Sequence, residues 1–345
     1  MARYLVTGGA GFFGTILKKA LLDRGHAVVS VDLCGDPYER EGFASWRGDI
    51  NDDRLMDRVF SGGDGFDGIF HMAALLAHVK KDLPALWKAN VDGTANVLKY
   101  AERFGVKNLV FASSNCLWAR NFDDPVSEEE VPDPVEIYGK SKLEGERILL
   151  GSDKVACSVI RCPTIMDEGR LGLLGILFAF IDEDRKLWVV GDGENRYQFI
   201  YAKDLVEACT AAIAYPKSTV FNIGSDDVRT FNEVYRYVID AGKSKSRIVH
   251  LPKTPLVWAM KVCFALGISP LGPYQYRMIT SNFVFDTSKI KRELGWRPTK
   301  TNGEMLLAAY EYYHRNRSEI LSRTGVSAHS SVADMGVIRL LKWLS

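Results

Sequence analysis

Residues 4–14 read YLVTGGAGFFG, and this stretch decides the fold. Tyr4, Leu5, Val6 and Thr7 form a short apolar, partly β-branched run, which reads as a strand. The run breaks at Gly8, and Gly11 and Gly14 follow at regular spacing. Beyond them GTILKKALLDRG, residues 14–25, has helical apolar spacing and a glycine stop. Glycines between a strand and a helix permit a tight turn. They also let the helix N-terminus, with Phe12 and Phe13, approach a pyrophosphate, whose charge the exposed N–H groups favour. A second strand, AVVSVDL at 27–33, carries Asp32 about 20 residues further on. An acid there accepts hydrogen bonds from a ribose diol and repels a 2′-phosphate. GDI at 48–50 adds Asp49 and Ile50 after a third strand, within reach of an adenine edge. The pattern predicts bound NAD rather than NADP.

The same alternation continues. DDRLMDRVF (52–60) reads as a helix, GIFHMAA (68–74) as a strand and LPALWKANVDGTANVLKYAERFG (83–105) as one long helix. NLVFASS (108–114), YGKSKLEGERILL (138–150) and CSVIRCP (157–163) read as strand, helix and strand. Apolar strands alternating with helices predict an α/β fold, a doubly wound parallel sheet covered on both faces. After about residue 165 the pattern is less regular and richer in Gly and Pro. The expected organisation is a dinucleotide-binding domain over 1–165, with a segment near 197–225 returning to it. A smaller substrate-binding domain takes most of 166–318, and a tail takes 319–345.

Composition narrows the partners. The 345 residues carry a net charge of +1, and no Lys/Arg run exceeds two, so a nucleic-acid stripe is not expected. No uncharged apolar stretch reaches the length of a membrane span. The chain starts directly in a strand, without the pattern of a signal peptide. Cys34, Cys116, Cys157, Cys162, Cys209 and Cys263 show no metal spacing, and the histidines are scattered. Reduced thiols, no metal and a cytoplasmic location are expected.

EIYGKSKLEGE, residues 136–146, supplies the chemistry. Tyr138 and Lys142 are four apart and share a helix face. An ammonium beside a phenol lowers its pKa from about 10 toward neutrality by stabilising the phenolate. Such a phenol can take a hydroxyl proton while the cofactor takes hydride from the same carbon. FASSN at 111–115 ends a strand at the edge where open α/β sheets place ligands, and Ser114 there can hold the substrate oxygen. His71, at the end of a buried strand, reads as structural.

TGGAGFFG, VDL, GDI, HMAA, NVDGTANVL, FASSN, YGKSKLEGE and GDGENRYQFIYAKDLVEA occur in that order. Together, over about residues 3–315, they resemble the extended short-chain dehydrogenase/reductases, and within them the NAD-dependent epimerase/dehydratase branch. The resemblance implies a Rossmann domain with a smaller C-terminal substrate domain and a triad of Ser114, Tyr138 and Lys142. It implies cofactor contacts at Gly8, Gly11, Phe12, Phe13, Gly14, Asp32, Asp49, Ile50, Met72, Ala73, Ala74, Asn90, Ser113, Tyr138, Lys142 and Pro163. It also implies a homodimer formed by the helix near 85–104 and the Tyr138 helix.

Several positions bear on the branch. The 4,6-dehydratases that the chain resembles carry an Asp–Glu pair after the serine, where this chain has Asn115 and Cys116. Simple C4 epimerases do not need that pair. Arg196 in GENRYQF matches an arginine that clamps nucleotide-sugar phosphates, and Arg277 offers a second clamp. These make epimerisation of a nucleotide-activated sugar the leading expectation. Thr164 stands where sugar epimerases usually carry Asn. TPLVWAMKVCFALGISPLGPYQYRM, from residue 254, inserts an apolar helical element. Both are similar to 3β-hydroxysteroid-dehydrogenase-like enzymes acting on hydrophobic or lipid-linked alcohols, which is the alternative. The apolar element is either a packed hairpin or a lid over such a substrate. A non-catalytic NAD sensor is a third class. Cys116 matches an acid/base cysteine in two GDP-sugar enzymes of the family, or is a small buried side chain. The tail segment MGVIRLLKWLS can dock on its own domain, on a partner or on a membrane surface.

Asp32 gives the first prediction. NAD should bind at least about tenfold tighter than NADP, since a carboxylate facing a phosphate costs more than about 1.4 kcal/mol. Titration calorimetry with both cofactors measures the ratio, and equal affinities would contradict it.

Overall fold

A computed structural model describes residues 1–76, 82–267, 276 and 278–322. Its centre is a seven-stranded sheet. β1 (Arg3–Thr7), β2 (Ala27–Asp32), β3 (Phe43–Arg47), β4 (Gly68–His71), β5 (Asn108–Ser114), β6 (Ala156–Cys162) and β10 (Thr219–Asn222) form it. Their spatial order is β10-β6-β5-β4-β1-β2-β3. Every pairing is parallel, for example Leu5 beside Val29 and Ile69. The chain order reverses between β1 and β4, the switch point where such sheets bind ligands at their C-terminal ends.

Both faces of the sheet are apolar because neighbouring residues on a strand point opposite ways. Val6, Val28, Phe70, Val110 and Ile160 pack with α1 (Phe12–Asp23) and α7 (Ala202–Ala212). Leu5, Val29, Ile69, Leu109 and Val159 pack with α2 (Asp53–Ser61) and α4 (Gly93–Arg103). The latter layer also holds Leu149 of α5 (Ile137–Leu150).

A second core gathers elements from the later sequence. It contains residues of α6 (Leu174–Asp182), α8 (Phe231–Ala241) and α11 (Asn302–Ser322), together with Trp118, Tyr197, Phe283 and Phe285. Two small parallel pairs attach to it. β7 (Thr164–Met166) pairs with β9 (Phe199–Tyr201), and β8 (Leu187–Val190) with β11 (Ile248–Leu251). α9 (Lys253–Ala265) and α10 (Ser288–Leu294) complete the described elements of this region. α11 continues to Ser322, so the start expected for the tail falls inside a helix. Residues 323–345, including MGVIRLLKWLS, lie outside the described residues.

One expected helix departs from regular geometry. Residues 83–103 divide into α3 (Leu83–Trp87), a π-helical turn at Lys88–Asp92, and α4. The wider turn buries Asn90 and Val91 together. Such π turns cluster at functional sites, and the apolar spacing alone does not reveal this one.

The glycine turn is packed against itself. A Cβ at Gly14 would lie 2.1 Å from the Gly8 carbonyl oxygen and 2.8 Å from the Gly9 Cα. Both obstacles are backbone. Gly14→Ala should therefore lower unfolding free energy by roughly 1–3 kcal/mol, as overpacked sites do. Gly35→Ala, which meets nothing within 4 Å, should stay within about 0.5 kcal/mol of wild type. Urea denaturation of the pair measures the contrast, and equal stabilities would contradict it.

Candidate active site

The site lies at the C-terminal ends of β1, β4 and β5. Gly8 N–H bonds the Val31 carbonyl at 2.8 Å, tying the turn to β2. Gly11 is the N-cap of α1, which has no side-chain cap and no acid in its first turn. That end carries the positive pole of the helix and suits an anion. Asp32 closes the other side: Oδ2 accepts from Ala10 N–H at 3.0 Å and Oδ1 from Cys34 N–H at 2.9 Å. Asp49 accepts from Asn51 N–H at 2.9 Å, and Ile50 is buried. An uncapped helix start beside a carboxylate-anchored turn fits the pyrophosphate and ribose of NAD.

A hydrogen-bond chain runs from this turn to the reaction helix. Ala73 N–H donates to Thr7 Oγ1 at 3.3 Å, while Met72 N–H donates to the Thr7 carbonyl. Thr7 Oγ1 meets His71 Nδ1 at 2.7 Å, and His71 Nε2 meets Thr94 Oγ1 at 2.9 Å. Thr94 donates onward to the Asn90 carbonyl at 2.6 Å. Since that uses the Thr94 proton, the network assigns the proton of a neutral His71 to Nε2. Burial, and then the charge of Lys142, push His71 down to about 3, so it is neutral at every physiological pH. This agrees with its structural reading. The Asn90 amide then accepts from Leu75 N–H at 2.7 Å and donates to Ser141 Oγ at 3.0 Å. Ser141 donates to the Tyr138 carbonyl at 2.8 Å.

Tyr138 and Lys142 both lie on α5, as the i, i+4 spacing predicts. Their electrostatics differ from that expectation. Lys142 Nζ donates to the Ala112 carbonyl at 2.8 Å and sits over the Phe111 ring at 4.5 Å. It is 5.9 Å from the centroid of the Tyr138 ring. Burial lowers Lys142 to about 8. Burial, followed by the nearby Cys116 and Cys162, pushes the Tyr138 phenol up rather than toward neutrality. Desolvation outweighs the lysine because the ammonium is directed at a carbonyl.

Ser114 ends β5, and its Oγ accepts from Cys116 N–H at 3.2 Å. Asn115 donates to the Tyr197 hydroxyl. The first turn of α5 presses on this segment: a Cβ at Gly139 would lie 2.2 Å from the Cys116 carbonyl oxygen. Cys116 lines a narrow cleft of about 40 Å³ with Trp118, Val135, Tyr197, Met278 and Phe283. Thr164 Oγ1 contacts Met278 Sδ at 3.9 Å. Pro163 joins β6 to β7, and Ala74 follows the Thr7-bonded Ala73.

Arg196 does not line the cleft that holds Cys116. Tyr197 points to Asn115, and in an extended chain its neighbours face the opposite way. Arg196 accordingly lines a separate cleft of about 420 Å³ with Asp123, Asp124, Glu194, Asp226 and Asp227. That acidic lining opposes a diphosphate. Arg196 is thus one residue out of register with Tyr197, whose hydroxyl meets Asn115. Arg277 lies outside the described residues.

A further pair escaped the motif reading. Glu146 and Arg161, both buried, are bonded in two places, Nη2 to Oε2 at 2.7 Å and Nε to Oε1 at 3.0 Å. Ser113 Oγ also donates to Glu146, and Arg161 Nη1 donates to the Glu128 carbonyl at 3.1 Å. Glu146 continues the i, i+4 series from Tyr138 and Lys142, which is the signal that could have found it. Among the described residues, no His/Cys/Asp/Glu cluster could hold a metal.

Known proteins share this fold and much of this sequence. The family model described as NAD dependent epimerase/dehydratase family matches residues 4–224. An uncharacterized protein of Sinorhizobium fredii, y4nG, is 34% identical, covering 98% of this chain and 85% of its own. A 3 beta-hydroxysteroid dehydrogenase/Delta 5-->4-isomerase of Mycobacterium tuberculosis is 28% identical, covering 91% and 90%. The crystal structure of a UDP-glucose 4-epimerase with UDP-glucose from Thermotoga maritima superposes with a TM-score of 0.75. It is 23% identical and covers 91% of this chain and 99% of its own. The chain belongs to the NAD-dependent epimerase/dehydratase family. It is an enzyme, and NAD is its cofactor.

Lys142 gives a pH signature. Its pKa is lowered to about 8 in the fold, against about 10.4 in an unfolded chain. Between these values the unfolded state binds more protons, so stability rises with pH. Below about 8 the cost of burying the charge is fully present. Relative to Lys142→Met, the cofactor-free wild type should gain as much as about 3 kcal/mol from pH 8 to pH 10.5. Denaturant unfolding across that range measures it. Parallel pH profiles would contradict the desolvated lysine.

Proposed function

We propose that the chain is an NAD-dependent oxidoreductase acting on a secondary alcohol or ketone of a largely apolar or lipid-linked substrate. The observation that most supports this reading is the lining of the cleft beside Cys116 and the start of α5. Trp118, Val135, Tyr197, Met278 and Phe283 are apolar or aromatic, with Asn115, Arg120, Glu136, Ser281 and Asn282 between them, and Arg196 faces elsewhere. Such a lining favours an apolar body and leaves orientation to a few polar groups. Similarity over nine-tenths of both chains extends alike to a hydroxysteroid dehydrogenase and to a UDP-glucose 4-epimerase, so the cleft and not the similarity carries the reading.

Bound NAD supplies the hydride acceptor. In this reading, Tyr138 takes or returns the hydroxyl proton, and Ser114 Oγ hydrogen-bonds the same oxygen. Lys142, one helical turn along, stabilises the phenolate by its charge, which it holds over most of the range below pH 8. Asn90 and Ser141 fix the turn that aims the phenol.

Epimerisation of a nucleotide-activated sugar is the second reading. Arg120, Ser281 and Asn282 lie on the same cleft and suit sugar hydroxyls, and Trp118 and Phe283 offer stacking faces.

The two readings differ in net redox. Purified protein with added NAD should accumulate NADH from a panel of hydroxysteroids and long-chain secondary alcohols. Tyr138→Phe should lower kcat by roughly 10²–10⁴ with little change in NAD affinity, because a general acid/base is lost. No NADH from that panel, beside a C4 epimer formed from UDP-, GDP- or dTDP-sugars in an NMR assay without added cofactor, would reverse the order.

A further inference from the structure

The described residue range 253–267 exposes an apolar surface that the site chemistry does not use. α9 buries only Met260. Trp258 is 70% exposed, Leu266 68%, Phe264 42% and Val262 38%. Trp258, Val262 and Leu266 recur at four-residue spacing and share one stripe. A contiguous apolar patch of this kind marks an interaction surface.

Charge indicates what covers it. From Ala241 to Phe285 the sequence has no Asp or Glu, whereas it has Lys243, Lys245, Arg247, Lys253, Lys261 and Arg277. In a chain of net charge +1 this is a marked segregation. We propose that α9 seats this protein on an anionic lipid bilayer surface. An apolar stripe with tryptophan and Lys261 at its flank suits a helix lying in the interface, while Lys253 donates to the Thr280 carbonyl. At thirteen residues α9 is too short to span the hydrocarbon layer, and no described helix is long and apolar enough to cross a membrane.

Two other occupants compete. The sequence beyond residue 322 ends in MGVIRLLKWLS, whose Arg339 and Lys342 carry the same sign as Lys253 and Lys261. Charge therefore disfavours its pairing with α9, while an anionic surface complements both. A second copy would set lysine against lysine in an isologous contact. The chain leaving α9 also reaches the site: Met278, Ser281, Asn282 and Phe283 line the cleft beside Cys116. The bilayer seat thus belongs to the same stretch of chain as the substrate cleft. It stands whichever substrate reading holds.

Vesicle co-sedimentation of the full-length protein tests it. Vesicles of phosphatidylcholine with phosphatidylglycerol should bind at least about tenfold more tightly than phosphatidylcholine alone, and salt should weaken the binding. Trp258→Glu and Val262→Glu should each lose at least about tenfold in vesicle affinity while binding NAD as wild type does, which shows that they fold. Trp343→Glu should retain most of the binding. Absence of vesicle binding would overturn the proposal, as would wild-type binding by both α9 variants. So would loss of binding only in Trp343→Glu, which would make the tail the anchor. Sedimentation velocity showing that Trp258→Glu splits a dimer without changing vesicle affinity would assign the face to a second copy and overturn it too.

Discussion

The buried pair of Glu146 and Arg161 is the constraint on which the site depends. Glu146 comes from α5, Arg161 from β6, and Ser113 at the end of β5 donates to the same carboxylate. Arg161 also reaches the Glu128 carbonyl and lies over the Trp118 ring at 5.1 Å. Helix, two strands and the loop that begins the substrate cleft are therefore tied at one point. Two buried charges are costly to desolvate, and removing either partner leaves the other uncompensated, a loss of about 3–5 kcal/mol. The pair fixes where α5 sits against the sheet more than it adds net stability.

The second tie is neutral. Thr7, His71, Thr94 and Asn90 link the cofactor turn to the helix of Tyr138 without a formal charge. Because His71 stays deprotonated, the direction of each hydrogen bond in the chain is set. A protonated ring would present two donors, and the Thr7 hydroxyl would have to reverse. Burial that makes the imidazole neutral thus also makes the network unique.

The reaction centre is arranged differently from a simple ion pair. Lys142 is held by the Ala112 carbonyl and the Phe111 face, and desolvation dominates both it and the phenol. The cost of ionising Tyr138 is therefore high in the cofactor-free protein. A positive charge added beside the phenol would lower that cost. The residues from Tyr197 onward that line the cleft beside it, and helix α9, belong to the less regular half of the sequence.

The layered sheet, the glycine turn, Asp32 at the end of β2, and Tyr138 with Lys142 on one helix were legible in the sequence. Each rests on a local rule: strand and helix periods, turn chemistry, or i, i+4 geometry. Tertiary structure alone decided the rest. Whether Arg196 or Tyr197 faces the site turns on one residue of register in an extended chain, which the bridge of Tyr197 to Phe283 sets from a distant segment. The Glu146–Arg161 pair joins residues on different elements, and the π turn at Asn90 forms where that side chain finds Leu75 and Ser141. The phenol's pKa depends on how much water the fold removes around it and on which carbonyl holds the ammonium. Those are three-dimensional facts, because burial and non-local partners, unlike periodicity, are not written in neighbouring residues.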